Sequence, residues 1–306
     1  MRAGEGRSVD LDYDCRMFAA LFKTMRPRQW TKNVFVFAAL VFDKQLLIPE
    51  SFLRTLGGFF LFCLISSSVY IFNDLADIQA DREHPEKRHR PIPSGRLPIA
   101  VAWTAGVVLA LVSLACGYLL SPAFALVLAA YLVLNLAYSA WLKHVLILDV
   151  LILAAGFVLR VDAGVRLIHV ERFSPWLYVV MTLLALYLGF GKRRAELALL
   201  SEDAANHRKV LQGYTIPLLD QYIMIVTGMT IVGYSLYTFS APNVPANHSM
   251  MLTIPFVVYA IFRYLYLIEV EHSGGAPEEI LLSDRPFQIS MVLWAVAVLA
   301  VFYLSK

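Results

Sequence analysis

Nine apolar runs constrain this chain more than any other feature. They fall near 33–48, 52–72, 97–120, 123–142, 145–165, 174–191, 217–240, 250–268 and 287–304, the first being the shortest. About 17–25 apolar residues is the length of a membrane-spanning helix. In lipid every backbone N–H and C=O needs a partner inside the protein, so long unbroken runs are helices and not barrel strands. The expected fold class is all-α: a polytopic membrane protein with nine transmembrane helices in a single bundle. Composition agrees, with 59% hydrophobic and only 16% charged residues, far from the balance of a soluble domain. Residues 1–24 read as a disordered polar tail ahead of a membrane domain over 25–306.

Lys and Arg set the orientation of such a bundle. With the N-terminus in the cytoplasm, the inner loops carry nineteen Lys and Arg and the outer ones five. The expected location is the cell membrane, with the C-terminus outside. The net charge of +3 then reflects topology, and nucleic acid is not an expected partner. Cys15, Cys63 and Cys116 have neither a disulfide framework nor metal-ligand spacing. No apolar core of a signal peptide precedes the first span.

Between the second and third runs lies the most polar stretch next to a span, NDLADIQADREHPEKRHRPIPSGR, from Asn73 to Arg96. Asn73, Asp74, Asp77 and Asp81 stand at offsets 0, 1, 4 and 8, which places them on one side of a helix at about 100° per residue. His84 continues that side, and Pro85 ends the helix. Carboxylates on one face repel one another unless a cation lies among them. Oxygen-only ligands suit Mg²⁺, which commonly completes its shell with water and substrate phosphates. Asn73, Asp77 and Asp81 are the expected metal ligands, with Asp74 beside them. Lys87, Arg88, Arg90 and Arg96 follow, fixed positive charges of the kind that bind phosphate oxygens. An ordinary solvated loop could pair the same charges with each other, but the regular Asp spacing against a span favours a site for a magnesium-bound diphosphate.

Other ionisable residues join the list. Arg28 and Lys32 precede the first span and suit either headgroup anchoring or phosphate contact. Lys143 and His144 mark the short turn between the fourth and fifth spans, while Asp149 and Arg160 lie inside the fifth. Charges within a span are functional candidates by default, although either of these could simply serve a partner within the bundle. Lys192, Arg193 and Arg194 close the sixth span, as lipid-headgroup contacts or as contacts to an anionic substrate. The last cytoplasmic loop reads as a flexible connector.

Nine spans with N-D-x-x-D-x-x-x-D after the second, as in Asn73, Asp74, Asp77 and Asp81, resemble the UbiA-type prenyltransferase superfamily. Tyr138, Ser139 and Lys143 in YSAWLK match that family's Tyr–Lys element. The resemblance implies a cytoplasmic-face enzyme that uses Mg²⁺ to ionise a diphosphate within a helical bundle. One departure stands out. Where the family usually carries a second Asp-rich motif, this chain has Lys192, Arg193, Arg194 and Glu196. With HPEKRHRPI, LKHVLILDV, GFVLR and GKRRAEL, the chain is most similar to the superfamily's polyprenyl-phosphate phosphoribosyltransferase branch.

That branch implies two substrates, phosphoribosyl diphosphate and a polyprenyl phosphate lipid. Phosphate contacts would then come from Lys87, Arg88, Lys143 and the basic triplet, with Tyr138, Asp149 and Arg160 in the substrate pocket. A homo-oligomer is left open. Two other functions compete. A prenyltransferase moving a prenyl group from its diphosphate to an aromatic acceptor stays within the superfamily, and the missing second Asp motif speaks against it. A transporter built around Asp149 and Arg160 would need repeats or paired broken helices, which the sequence does not display.

Overall fold

The computed structural model describes residues 16–170, 174–199, 209–271, 280 and 283–304. Every element in them is helical. Residues 16–24, expected as part of a disordered tail, form helix α1 instead, while residues 1–15 lie outside the described part. Ala20 of α1 packs with Ile71 and Leu75, and Phe18 and Phe22 face outward. An exposed aromatic pair one turn apart suits the boundary between water and lipid.

The first apolar run is not a regular α-helix. Pro27–Phe37 winds as a 3₁₀-helix and passes into α2, Ala38–Phe42. At about 2.0 Å per residue, 3₁₀ geometry stretches these eleven residues over about 22 Å, against about 16 Å for an α-helix. The segment crosses the helix Leu148–Val165 so closely that a Cβ on Gly164 would sit 2.0 Å from the Val36 carbonyl oxygen.

Then come α3 (Pro49–Ala76), α4 (Ile78–Glu83), α5 (Ile99–Leu120), α6 (Pro122–Ala140), α7 (Leu148–Val165), α8 (Pro175–Leu199), α9 (Ile216–Ser240), α10 (Ile254–Glu269) and α11 (Arg285–Tyr303). Among the described residues seven helices are long and apolar enough to cross a membrane, not the expected nine. The other two expected spans are the 3₁₀–α2 segment and α7. The latter fails on composition because Asp149, Arg160 and Asp162 interrupt it. The sixth expected span is longer than its apolar run, since α8 carries Lys192, Arg193 and Arg194 inside the helix.

α3 is the most enclosed helix, with 56% of its apolar window buried against 22% for α5 and for α11. α7 is the wall shared by the two halves. Val150 and Val161 pack toward α8 and α9, while Ala163 packs with Phe62 of α3 and Tyr131 of α6. At the far side of the bundle Asp284 caps α11 and takes two bonds from Arg263 of α10, at 3.2 and 2.7 Å. The guanidinium holds the Asp284 carboxyl below the usual carboxylate range.

Gly164→Ala is expected to destabilise the detergent-solubilised protein by about 1–3 kcal/mol, the usual cost of forcing atoms into a packed contact. Gly228→Ala, where an added Cβ meets nothing within 4 Å, should be neutral or mildly stabilising. Thermal unfolding of the two variants side by side checks this.

Candidate functional site

The acidic stretch folds as one helix with a single loosened residue. α3 ends at Ala76, Asp77 sits at φ −94°, ψ 8°, and α4 resumes at Ile78. The hydrogen-bond ladder runs through the break. Asp77 N–H donates to Asn73 C=O at 3.0 Å, and Asp81 N–H to Asp77 C=O at 2.8 Å. His84 then turns extended ahead of Pro85, because the proline ring disfavours a helical residue before it.

Each of the three motif aspartates meets a cation. Asp74 is buried and accepts from Arg26 and from Arg90, the latter at 3.1 Å. Asp81, also buried, accepts from the same Arg90 Nη1 at 2.7 Å, and Lys87 Nζ stands 4.0 Å away. Asp77 is the most open, with 31% of its side chain exposed, and pairs with Lys143 Nζ at 2.7 Å. Asn73 accepts from the Ser139 hydroxyl at 2.9 Å. The four motif residues therefore divide into two groups. Asp74 and Asp81 share Arg90, while Asn73 and Asp77 face the α6–α7 turn. Of the remaining cations expected here, Arg88 and Arg28 are exposed, and Lys32 and Lys87 half-buried.

The α6–α7 turn that carries Lys143 is held under strain. Ile147 has φ +69°, a region that a β-branched residue rarely adopts. Its N–H donates to the Tyr214 hydroxyl at 2.9 Å, which donates in turn to Asp149 Oδ1 at 2.8 Å. Asp149 Oδ2 accepts from Arg193 Nε at 2.6 Å, and Arg193 Nη1 reaches Glu196 at 2.7 Å. Burial, and after it the Asp149 carboxylate, push the Tyr214 hydroxyl well above its ordinary range, so it remains a proton donor. Half-buried Tyr138 lies within electrostatic range of Arg193.

Arg194 ties α8 to two further helices through Asp220, at 2.6 Å, and Glu269. Two of the three successive cations are thus committed to carboxylates of the protein. Lys192 is half-buried and forms no ion pair among the described residues. Arg160 lies away from all of these. Its guanidinium donates to Asn33 Oδ1 at 2.9 Å, Gly156 C=O at 2.7 Å and the Tyr131 hydroxyl at 2.9 Å, with the Phe62, Tyr131 and Phe157 rings around it.

The UbiA prenyltransferase family matches the chain over residues 33–278. The chain belongs to this family. A decaprenyl-phosphate phosphoribosyltransferase of Mycobacterium tuberculosis is 34% identical, covering 92% of this chain and 94% of the relative. One from Mycolicibacterium smegmatis is 35% identical over 94% of both chains. Among solved structures, a UbiA homolog from Archaeoglobus fulgidus bound to GPP and Mg2+ superposes with a TM-score of 0.71 at 19% identity. That match covers 92% of this chain and 99% of the other. This UbiA-family chain is a multi-pass membrane protein and an enzyme of the transferase class.

The donor chemistry of its acidic helix fits a hard divalent cation, since Asn73, Asp77 and Asp81 offer oxygens only. Among the described residues, no three His, Cys, Asp or Glu side chains are gathered so as to hold a metal by themselves. The residues fit an ion that takes one or two carboxylates and completes its shell from phosphate and water.

Two residues of the site were not legible from spacing. Arg26 stands just ahead of the first span and lies 48 residues from Asp74. Arg90 stands nine residues beyond Asp81, across a proline turn that breaks the helical period. The only signal for either was its charge.

Arg193→Met should cost about 3–5 kcal/mol of stability, because it strips the Asp149 carboxyl of its cationic partner in a place sealed from water. Lys192→Met should stay within about 0.5 kcal/mol. Thermal unfolding of the purified variants separates a structural cation from one free to meet substrate.

Proposed function

We propose that this chain transfers the 5-phosphoribosyl group of phosphoribosyl diphosphate to a polyprenyl phosphate at the cytoplasmic face of the membrane. Diphosphate would leave. The observation that carries this reading is the place of the family's usual second acidic motif. There Arg193 and Arg194 are locked to Asp149, Asp220 and Glu269, so no second acidic metal site is available on α8. Two decaprenyl-phosphate phosphoribosyltransferases that match this chain almost end to end support the same reaction.

Asn73, Asp77 and Asp81 would hold Mg²⁺, which when bound would neutralise charge on the leaving diphosphate. Lys143, Lys87 and Arg88 stand at the same end of the helix, within reach of phosphate oxygens. As the ribosyl C1–O bond to diphosphate breaks, an oxygen of the lipid phosphate forms the new bond to C1 from the opposite face. That oxygen is already anionic, so no side chain needs to remove a proton. The protein's share is positioning and fixed charge. Lys192 is the member of the basic triplet left to meet a substrate phosphate. Arg160 would act by joining α7 to the 3₁₀ segment and α6 through Asn33 and Tyr131.

The test offers radiolabelled phosphoribosyl diphosphate, Mg²⁺ and a long-chain polyprenyl phosphate to purified protein. Label should enter the organic phase and be lost with EDTA. Asp77→Ala should lower the rate about a thousandfold, equivalent to roughly 4 kcal/mol, while the protein still folds. No labelled lipid, together with consumption of a prenyl diphosphate and an aromatic acceptor, would make the chain a prenyltransferase instead.

A further inference from the structure

The carboxylates expected to bind a metal are already neutralised by side chains of the protein. Arg90 Nη1 lies between Asp74 and Asp81, at 3.1 and 2.7 Å. Lys143 Nζ lies 2.7 Å from Asp77. Each of these two cations holds oxygens of the acidic helix that a metal would otherwise neutralise. Lys143 is 14% exposed and Arg90 29%, whereas Asp74 and Asp81 are buried.

A divalent ion arriving alone would have to expel an ammonium and a guanidinium, and leave them unpaired beside a new double charge. At the few-ångström separations here, such like-charge contacts are costly in a partly desolvated site. A diphosphate changes the balance. Its oxygens complete the metal's shell and at the same time accept the hydrogen bonds that Lys143 and Arg90 give up.

We propose that Lys143 and Arg90 are place-holders for the metal, so that metal and diphosphate enter as one unit and the protein alone binds the ion poorly. This rests on reading the acidic helix as a metal–diphosphate site. Asp77, Asp81 and Asn73 would then change partner from lysine, arginine and serine to the ion, while Lys143 and Arg90 move onto the phosphate. The coupling is reciprocal, because whatever diphosphate adds to metal affinity the metal adds to diphosphate affinity.

The test uses the purified full chain with Mn²⁺ as probe and electron paramagnetic resonance to count bound ion. Mn²⁺ alone is titrated into the wild type, Lys143→Gln and Lys143→Met, and the titration is repeated with saturating phosphoribosyl diphosphate. In the wild type, Mn²⁺ alone should bind at least about tenfold more weakly than in either lysine variant, within the usual range of coupling between sites. With the diphosphate present, the wild type should bind the ion at least as tightly as the variants do.

Equal affinity of wild type and variants for Mn²⁺ alone would overturn the place-holder role and leave the metal site standing. No protein-bound Mn²⁺ in the wild type even with phosphoribosyl diphosphate would overturn the metal reading itself. Should a variant fail to fold, the wild type decides the matter. Tight Mn²⁺ binding without diphosphate would be enough to reject the proposal.

Discussion

Water is scarce inside a helical membrane bundle, so every charge placed there has to be answered by another part of the chain. Asp149 and Arg193 show the constraint at its strongest. Both are sealed from solvent, and each satisfies the other at 2.6 Å. Their pairing fixes the end of α8 against α7, and through Tyr214 it also fixes the unusual backbone of Ile147. A residue held at φ +69° costs free energy that the surrounding contacts must offset. The turn that presents Lys143 is therefore set by an ion pair some distance away from it. Arg160 meets the same constraint without an acid, by donating to neutral oxygens and lying against three aromatic rings.

The acidic helix obeys the rule in the other direction. Its carboxylates come from one short stretch, but the cations that answer them come from three others: the approach to the 3₁₀ segment, the loop after α4 and the α6–α7 turn. The site is thus an assembly of separate pieces around α3, the most enclosed helix in the bundle. Positive charge converges on these acids from three separate parts of the chain. In the proposed reaction a diphosphate leaves and an anionic nucleophile arrives, and the protein's task would be to neutralise that charge and hold the reacting atoms in line.

Much of this was readable from the residues. Apolar length marked most of the helices, and the step from apolar run to N-D-x-x-D-x-x-x-D pointed to the family. Pro85 ended the acidic helix where its ring geometry requires. The 3₁₀ pitch of Pro27–Phe37 was not readable. Hydrophobic composition records that a segment is buried, whereas its pitch follows from how closely it must pass Gly164. The tail ahead of it was misjudged for a related reason. Residues 16–24 mix an apolar stretch with Arg16, Lys23 and Thr24, and their docking on Ile71 and Leu75 is a tertiary contact that the order of residues does not display.

The basic triplet marks the boundary between the two kinds of information. From sequence alone, Lys192, Arg193 and Arg194 are equivalent charges that could face lipid, substrate or protein. A helix turns about 100° per residue, so three successive side chains point in three directions, and what each one meets depends on helices far away in the chain. Arg193 meets Asp149, 44 residues distant, and Arg194 meets Glu269, 75 residues distant. The sequence by itself determined that this chain is a helical membrane protein with regularly spaced acids and a basic cluster beside one span, because length, periodicity and charge are local properties. Which cation neutralises which acid was decided only by tertiary structure, because ion pairing depends on distance in space and sequence separation does not encode it.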